Sequence, residues 1–267
     1  MIPRLLTIAG SDSSGGAGIQ ADLKTFEAFE TYGMTAVTAL TVQNTQGVYE
    51  VMLVDPALVR AQIRAVRDDV GVDAVKIGML GSAAIIEAVA DELIQGPPVP
   101  IVVDPVFRAK GGTPLIDTEA VRVLAERLVP LATVITPNLP EAGHLAGFAV
   151  RDRGEMLKAA QAIAALGAQA VLVKGGHLAG DEAADLLWHH GEARWFAAPR
   201  IVTAHTHGTG CTLSSAIAAN LARGQSMVEA IETAKRFVTL AIEHAPGLGR
   251  GHGPLGHAAA RRGMFSG

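Results

Sequence analysis

Short, continuously apolar runs alternate with longer amphipathic stretches along most of this chain, and that alternation constrains the fold more than any other feature. Strand-length runs fall at 5–9, 35–42, 74–77, 101–103, 133–136 and 170–173, and helical patterns fill the intervals at 17–31, 56–69, 82–95, 118–128 and 155–166. A strand that is apolar at every position must be covered on both faces. A βαβα order built on such strands predicts an α/β fold: a central, mostly parallel sheet with helices on both faces and no separate lid domain. After Lys174 the pattern changes. "DLLWHHGEARWFAAPRI" reads as a hairpin turning at His190-Gly191-Glu192. Helices are expected at 209–223 and 226–244, with Gly224 at the C′ position of the first and Ser226 with Glu229 as a capping box for the second. No repeat, low-complexity linker or composition break interrupts the chain, so residues 1–267 are expected to form one domain.

Composition narrows the partners. The net charge is −4 and there is no basic block, so neither nucleic acid nor an anionic membrane is an expected partner. The single cysteine allows no internal disulfide, and no C-x-x-C or Cys/His cluster suggests structural zinc. No segment approaches the roughly 18 apolar residues of a membrane span. The apolar run near the N-terminus is too short for a signal peptide, and a cytoplasmic location is expected.

In an open parallel sheet, ligands bind outside the carboxyl ends of the strands. The segments that follow the strands are "AGSDSSGGAGIQADLKTF", "TVQNTQGV", "KIGML", "VVDPVFRAKGG", "TPNLPEA", "VKGGH" and "THGTGC", nearly all rich in glycine or polar residues. The Gly15-Gly16-x-Gly18 loop matches neither a dinucleotide fingerprint nor a P-loop, and a tight strand-to-helix turn explains it equally well. Asn138 and Glu141 have the spacing of a helix cap, or of a pair that orders a magnesium–phosphate complex through water. Asp104 ends a strand either as a turn residue or as charge for a metal or nucleotide. Lys174, followed by two glycines, is either a surface lysine or a cation that reaches phosphate oxygens. In "THGTGC" the successive backbone N–H groups from His207 to Cys211, at the positive end of a helix, would make an anion hole, with ordinary N-capping by the small polar residues as the alternative.

These stretches, in this order, together with "VLVKGGH" and the terminal "GRGHGPLGH", resemble the bacterial hydroxymethylpyrimidine/phosphomethylpyrimidine kinases of the ribokinase-like superfamily. The resemblance runs from about residue 5 to residue 257. It implies two phosphorylations that use ATP and Mg2+ in thiamine biosynthesis: of 4-amino-5-hydroxymethyl-2-methylpyrimidine to its monophosphate, and of that to the diphosphate. It places Gln43 on the amino edge of the pyrimidine and Asp22 beside the hydroxymethyl group, with Met79 and Val106 packing on the ring and Gly10 and Val42 among the other substrate-binding residues. Lys174 is implied at the nucleotide phosphates, Asp104, Asn138 and Glu141 in the magnesium–phosphate region, and Gly208, Thr209 and Gly210 as the anion hole. A homodimer is the implied assembly. Cys211 stands where most sugar kinases of the superfamily place an Asp base. A thiol titrates near about 8.5 and a helix N-terminus lowers that, which suits a proton acceptor near neutral pH. His205 stands where similar sequences read Asn, and Phe107-Arg108 where they read Met and an apolar residue. The rival readings are a pyridoxal or pyridoxine kinase of the same superfamily and, further off, a non-catalytic pyrimidine-binding regulator.

Overall fold

The computed structural model describes residues 1–108, 112, 114–176, 178 and 180–265. Ala109, Lys110 and Gly111 of "AKGG" and His177 of "VKGGH" therefore lie outside the described residues. Nine strands among the described residues form one sheet: β1 (Arg4–Asp12), β2 (Tyr32–Asn44), β3 (Gly47–Leu53), β4 (Ala74–Ile77), β5 (Ile101–Val103), β6 (Val134–Ile135), β7 (Ala170–Val173), β8 (Glu182–His189) and β9 (Glu192–Pro199). Their order is β3-β2-β1-β4-β5-β6-β7-β8-β9. Pairing is parallel from β2 through β7 and antiparallel at both edges, where β3 joins β2 and β8 and β9 follow β7.

Helices α1 (Gly18–Ala28), α2 (Pro56–Asp69), α3 (Ala83–Gln95), α4 (Thr118–Arg127), α5 (Leu139–Ala146), α6 (Arg153–Ala165), α7 (Thr209–Ala222), α8 (Met227–Glu243) and α9 (His257–Phe265) cover the sheet. Alternate residues of the central strands enter two separate cores, as pleating requires. Leu6, Ile8, Val75, Ile77 and Val103 pack with residues of α2 to α6, whereas Leu5, Ala74, Val102 and Leu172 pack with α1, α7, α8 and α9. The expected α/β fold with a mostly parallel sheet is thus present.

Several elements match the sequence pattern residue for residue, and the departures have local causes. The predicted helix at 17–31 stops at Ala28, because Glu30 turns to φ 57° and the Thr31 hydroxyl bonds back to the Phe26 carbonyl. α6 starts earlier than expected because Asp152 caps it, accepting from the Glu155 N–H. The hairpin turns at His190 and Gly191, both at positive φ, which suits the twist of a two-residue loop. β3 escaped the reading because it is an edge strand with most of its side chains exposed, so it carries no buried run. The capping box at Ser226 and Glu229 and the positive φ at Gly224 are as expected.

Candidate active site

α7 packs against β1, β4 and β5, and its N-terminus lies beside Asp104 and Lys174, just beyond the carboxyl ends of β5 and β7. Gly208, at φ 83°, caps that helix without a side chain, and its α-carbon packs so closely on the Gly16 carbonyl that a side chain would collide. The first helical bond is donated by the Thr212 N–H to the Gly208 carbonyl at 2.8 Å. The N–H groups of Gly210 and Cys211 lie in the turn before it and have no helical acceptor. The positive end of α7 is therefore presented to the cleft.

Opposite stands an ion pair. Lys174, immediately after β7, places Nζ 2.8 Å from Asp104 Oδ1, immediately after β5. A Cβ on Gly210 would stand 3.2 Å from that Nζ and 3.4 Å from Asp104 Oδ2, so the glycine is what lets the helix terminus approach the pair. Burial alone would press the Lys174 ammonium down, but Asp104 and Glu141 hold it above its ordinary value. Asp185 in β8 fixes the loop beyond it, accepting from the Gly175 N–H at 2.9 Å and from Lys235 at 2.6 Å.

Asn138 and Glu141 form a complete capping box: Asn138 Oδ1 accepts from the Glu141 N–H at 2.9 Å and Glu141 Oε2 from the Asn138 N–H at 2.8 Å. The cap does not exhaust Glu141. Its carboxyl is buried, faces Asp104 and Lys174, and is pushed up to about 7, burial being the largest cause and the Asp104 charge adding to it. Among the described residues no cluster of three His, Cys, Asp or Glu could hold a metal alone. Two carboxylates next to an anion-binding helix end nevertheless suit Mg2+, which keeps several waters and takes one or two protein carboxylates beside substrate phosphates.

The glycine loop after β1 is tied to α7 by Asp12, a residue the sequence reading did not single out. Its carboxylate accepts from the Ser14 N–H and hydroxyl, the Gly16 and Ala17 N–H groups, and His207 Nε2 at 2.8 Å. Burial opposes its charge, yet His207 and these donors outweigh it and hold Asp12 down at about 2. The Gln43 amide lies at the rim, 3.1 Å from the Thr41 hydroxyl and 3.3 Å from His207 Nε2. Met79 is buried with its sulfur against Gly10, where a Cβ would stand 2.9 Å away, and Val106 is half-buried beside Asp104. Val42, expected among the substrate-binding residues, is 54% exposed on β2. His205 Nδ1 is buried and has no hydrogen-bond partner among the described residues.

Two expectations are corrected here. Asp22, expected beside the hydroxymethyl group, has no exposed surface; it is sealed below the cleft and bonded to Thr7, Lys76 and Ser215. Cys211 does not have the lowered thiol pKa expected of a helix N-terminus. Burial pushes it up to about 11, with Asp22 and Asp104 adding to the rise, against the opposing pull of Lys76 and the Gly18 N–H. A terminus stabilises a thiolate by a fraction of a charge, and the desolvation of a buried sulfur outweighs that.

Anion-binding N–H groups, a paired lysine and a thiol within one helix turn, all at the carboxyl end of a parallel sheet, are the apparatus of a phosphotransferase of the ribokinase-like class. A solved structure of that class, an ADP complex of Bacillus subtilis pyridoxal kinase, is 43% identical with a TM-score of 0.89, covering 98% of this chain and 99% of that one. The family profile for phosphomethylpyrimidine kinase matches residues 12–256, and the chain belongs to that family. A Streptomyces coelicolor hydroxymethylpyrimidine/phosphomethylpyrimidine kinase is 52% identical over 97% of this chain and 95% of its own length. The Geobacter sulfurreducens thiamine biosynthesis bifunctional protein ThiED is also 52% identical, and there the chain spans only 52% of the relative.

Proposed function

We propose that this chain, as one kinase domain over residues 1–267, transfers the terminal phosphoryl group of ATP to 4-amino-5-hydroxymethyl-2-methylpyrimidine and then to the resulting monophosphate, for thiamine diphosphate biosynthesis. The observation that carries the reading is the meeting of the Gly208–Cys211 terminus with the Lys174–Asp104 pair across Gly210. Phosphoryl transfer needs little from a protein beyond positioning and charge stabilisation, and those two features supply both. The names and identities of the relatives support the substrate.

In the first step the hydroxymethyl O–H gives its proton to the Cys211 thiolate, a minor form at neutral pH, as the oxygen attacks phosphorus and ADP leaves. In the second the attacking phosphate oxygen is already ionised and needs no acceptor. Gly208, Thr209 and Gly210 bind the transferring group, and Lys174 balances its charge. Asp104 and Glu141, with Asn138 framing the helix start, would hold Mg2+ through water, where it would neutralise phosphate charge. Gln43 offers a carbonyl and two N–H donors to the aminopyrimidine edge, and Met79, Gly10 and Val106 pack on the ring. No helix among the described residues is long and apolar enough to cross a membrane, which suits a cytoplasmic enzyme. Tyr49, Val51, Met52 and Leu53 on β3, with Leu40 and Val42 on β2, leave both faces of this sheet edge exposed and apolar, which favours a homodimer joined there.

Likeness to a pyridoxal kinase at 43% identity supports a second reading, in which a pyridoxal-type ring occupies the same cleft. ADP release measured with the hydroxymethylpyrimidine, its monophosphate and pyridoxal decides. Turnover of both pyrimidines with kcat/KM well above that for pyridoxal is expected; the reverse ranking overturns the assignment.

A further inference from the structure

A lysine has no ordinary place in the middle of a strand sealed on both faces. Lys76 occupies that position in β4 at 0% exposure, between Val75 and Ile77, which enter the α2–α6 core. Strand alternation turns Lys76 the other way, toward α1 and α7. There its Nζ lies 2.9 Å from each carboxylate oxygen of Asp22, also at 0% exposure. Asp22 further accepts from the Thr7 hydroxyl at 2.6 Å and the Ser215 hydroxyl at 2.7 Å. A fully buried ion pair is a poor source of stability, since apolar residues of similar volume do as well or better. Its position suggests another use.

Asp22 stands one turn beyond Gly18 on α1, and Ser215 one turn beyond Cys211 on α7, so each pair shares a helix face. The two helices therefore meet where the Ser215 hydroxyl donates to the Asp22 carboxylate, one turn beyond Cys211 and Gly18. Lys76 rises from the sheet beneath that bond, beside Gly78, where a Cβ would stand 2.8 Å from Nζ. We propose that Lys76 and Asp22, which touch no substrate, are positioning residues for the alcohol-phosphorylating step: the ammonium sets the field at the Cys211 sulfur, and the carboxylate fixes both the ammonium and α7.

The functional part of the proposal rests on Cys211 being the proton acceptor. The charged groups facing the thiol are Lys76 from β4, Asp22 from α1, Asp104 beyond β5 and Lys174 beyond β7. Lys76 favours the thiolate, and Asp22 opposes it more weakly. Removing each should therefore move the thiol in opposite directions.

Cys211 is the only cysteine, so alkylation of the free protein by iodoacetamide reads one sulfur and needs no substrate. Between pH 7 and 10, Lys76→Met should slow alkylation by roughly tenfold, a change of about one pKa unit. Asp22→Asn should speed it, and the double variant, which keeps the buried net charge, should fall between Lys76→Met and the unaltered protein. General loosening would expose the thiol and speed all three. If neither single variant folds, the double variant alone carries the test: slower alkylation supports the proposal, and equal or faster alkylation overturns it. Single-turnover assays on the same proteins separate the two claims. Slowed alkylation with an unchanged alcohol step would leave the field assignment standing and refute Cys211 as the acceptor; unchanged alkylation with an altered rate would refute the field assignment alone.

Discussion

On the face of the sheet covered by α2 to α6, the residues that enter the core from the central strands are Leu6, Ile8, Val75, Ile77, Val103, Ile135, Val171 and Val173. On the face covered by α1, α7 and α8, Leu5, Ala74, Val102, Val134 and Leu172 occupy the amino-terminal half. Further along, the alternate positions of that second face become Thr7, Lys76, Asp104, Thr136 and Lys174. One face is apolar for its whole length, while the other changes from core to chemistry within a few residues. Apolar burial rewards area without regard to direction. Buried charges must each meet a partner, and those carried by the central strands and their carboxyl ends lie on the face that meets the glycine-lined terminus of α7. The first face should answer to stability measurements and the second to rates and pH.

The largest expected effects are on the second face. Cys211→Ala should slow phosphorylation of the alcohol by about 10²–10⁴, the span of a general base, and leave phosphorylation of the monophosphate nearly intact. Lys174→Ala should damage both steps, because both place new negative charge beside it. With the thiol at about 11, the thiolate fraction gains tenfold for each pH unit up to that point, so the alcohol step should accelerate from pH 7 to 9 while the phosphate step does not follow it. Single-turnover rates on the two substrates check this, and equal losses in Cys211→Ala would mean that the residue acts through loop geometry.

Ile77 tests the first face, one residue from Lys76 and pointing the other way. Ile77→Ala should cost about 2–5 kcal/mol of stability through lost burial and a residual cavity. The ratio of the two phosphorylation rates per folded molecule, and their pH profiles, should stay as they were. A shift in either would break the separation of the faces.

At the rim of the cleft the expected change is smaller. Gln43→Leu should raise KM for the pyrimidine by roughly 10–100-fold, since a buried polar edge left unpaired costs about 1–3 kcal/mol. KM for ATP should hold. An unchanged pyrimidine KM would place the ring elsewhere.

The same contrast explains what the sequence disclosed. The apolar face was legible because a run such as "VVD" or "AVKI" states its burial in its own composition, and β4, β5 and β7 fell where the pattern put them. Glycine and polar residues after the strands located the cleft, since they follow directly from chain order. The charge network was not legible, because it depends on which side chains meet across separations of 54 residues for Lys76 and Asp22 and 195 for His207 and Asp12. One signal was present: a lysine inside an apolar strand that parallel pairing would bury. The thiol failed for a similar reason, because the helix terminus is local and the burial that outweighs it is built by distant segments.

The smallest effect concerns the join between the glycine loop and α7. Asp12 titrates at about 2 in the folded protein, below the ordinary value of 3.8, because His207 and the loop N–H groups favour its charged form against the cost of burial. A depressed carboxylate stabilises the fold fully above its unfolded pKa and loses that contribution as pH falls through the folded value. From pH 7 to pH 3 the loss through Asp12 should be about 1 kcal/mol, and nearly all of it should fall below pH 4.5. Asp12→Asn lacks this titration while the other carboxylates remain, so urea unfolding of the two proteins should show the unaltered one losing more stability over that interval. Above pH 5 their difference should be constant. Identical slopes below pH 4.5 would mean that Asp12 is not held in its charged form, and that the glycine loop is joined to α7 by packing of Gly16 on Gly208 alone.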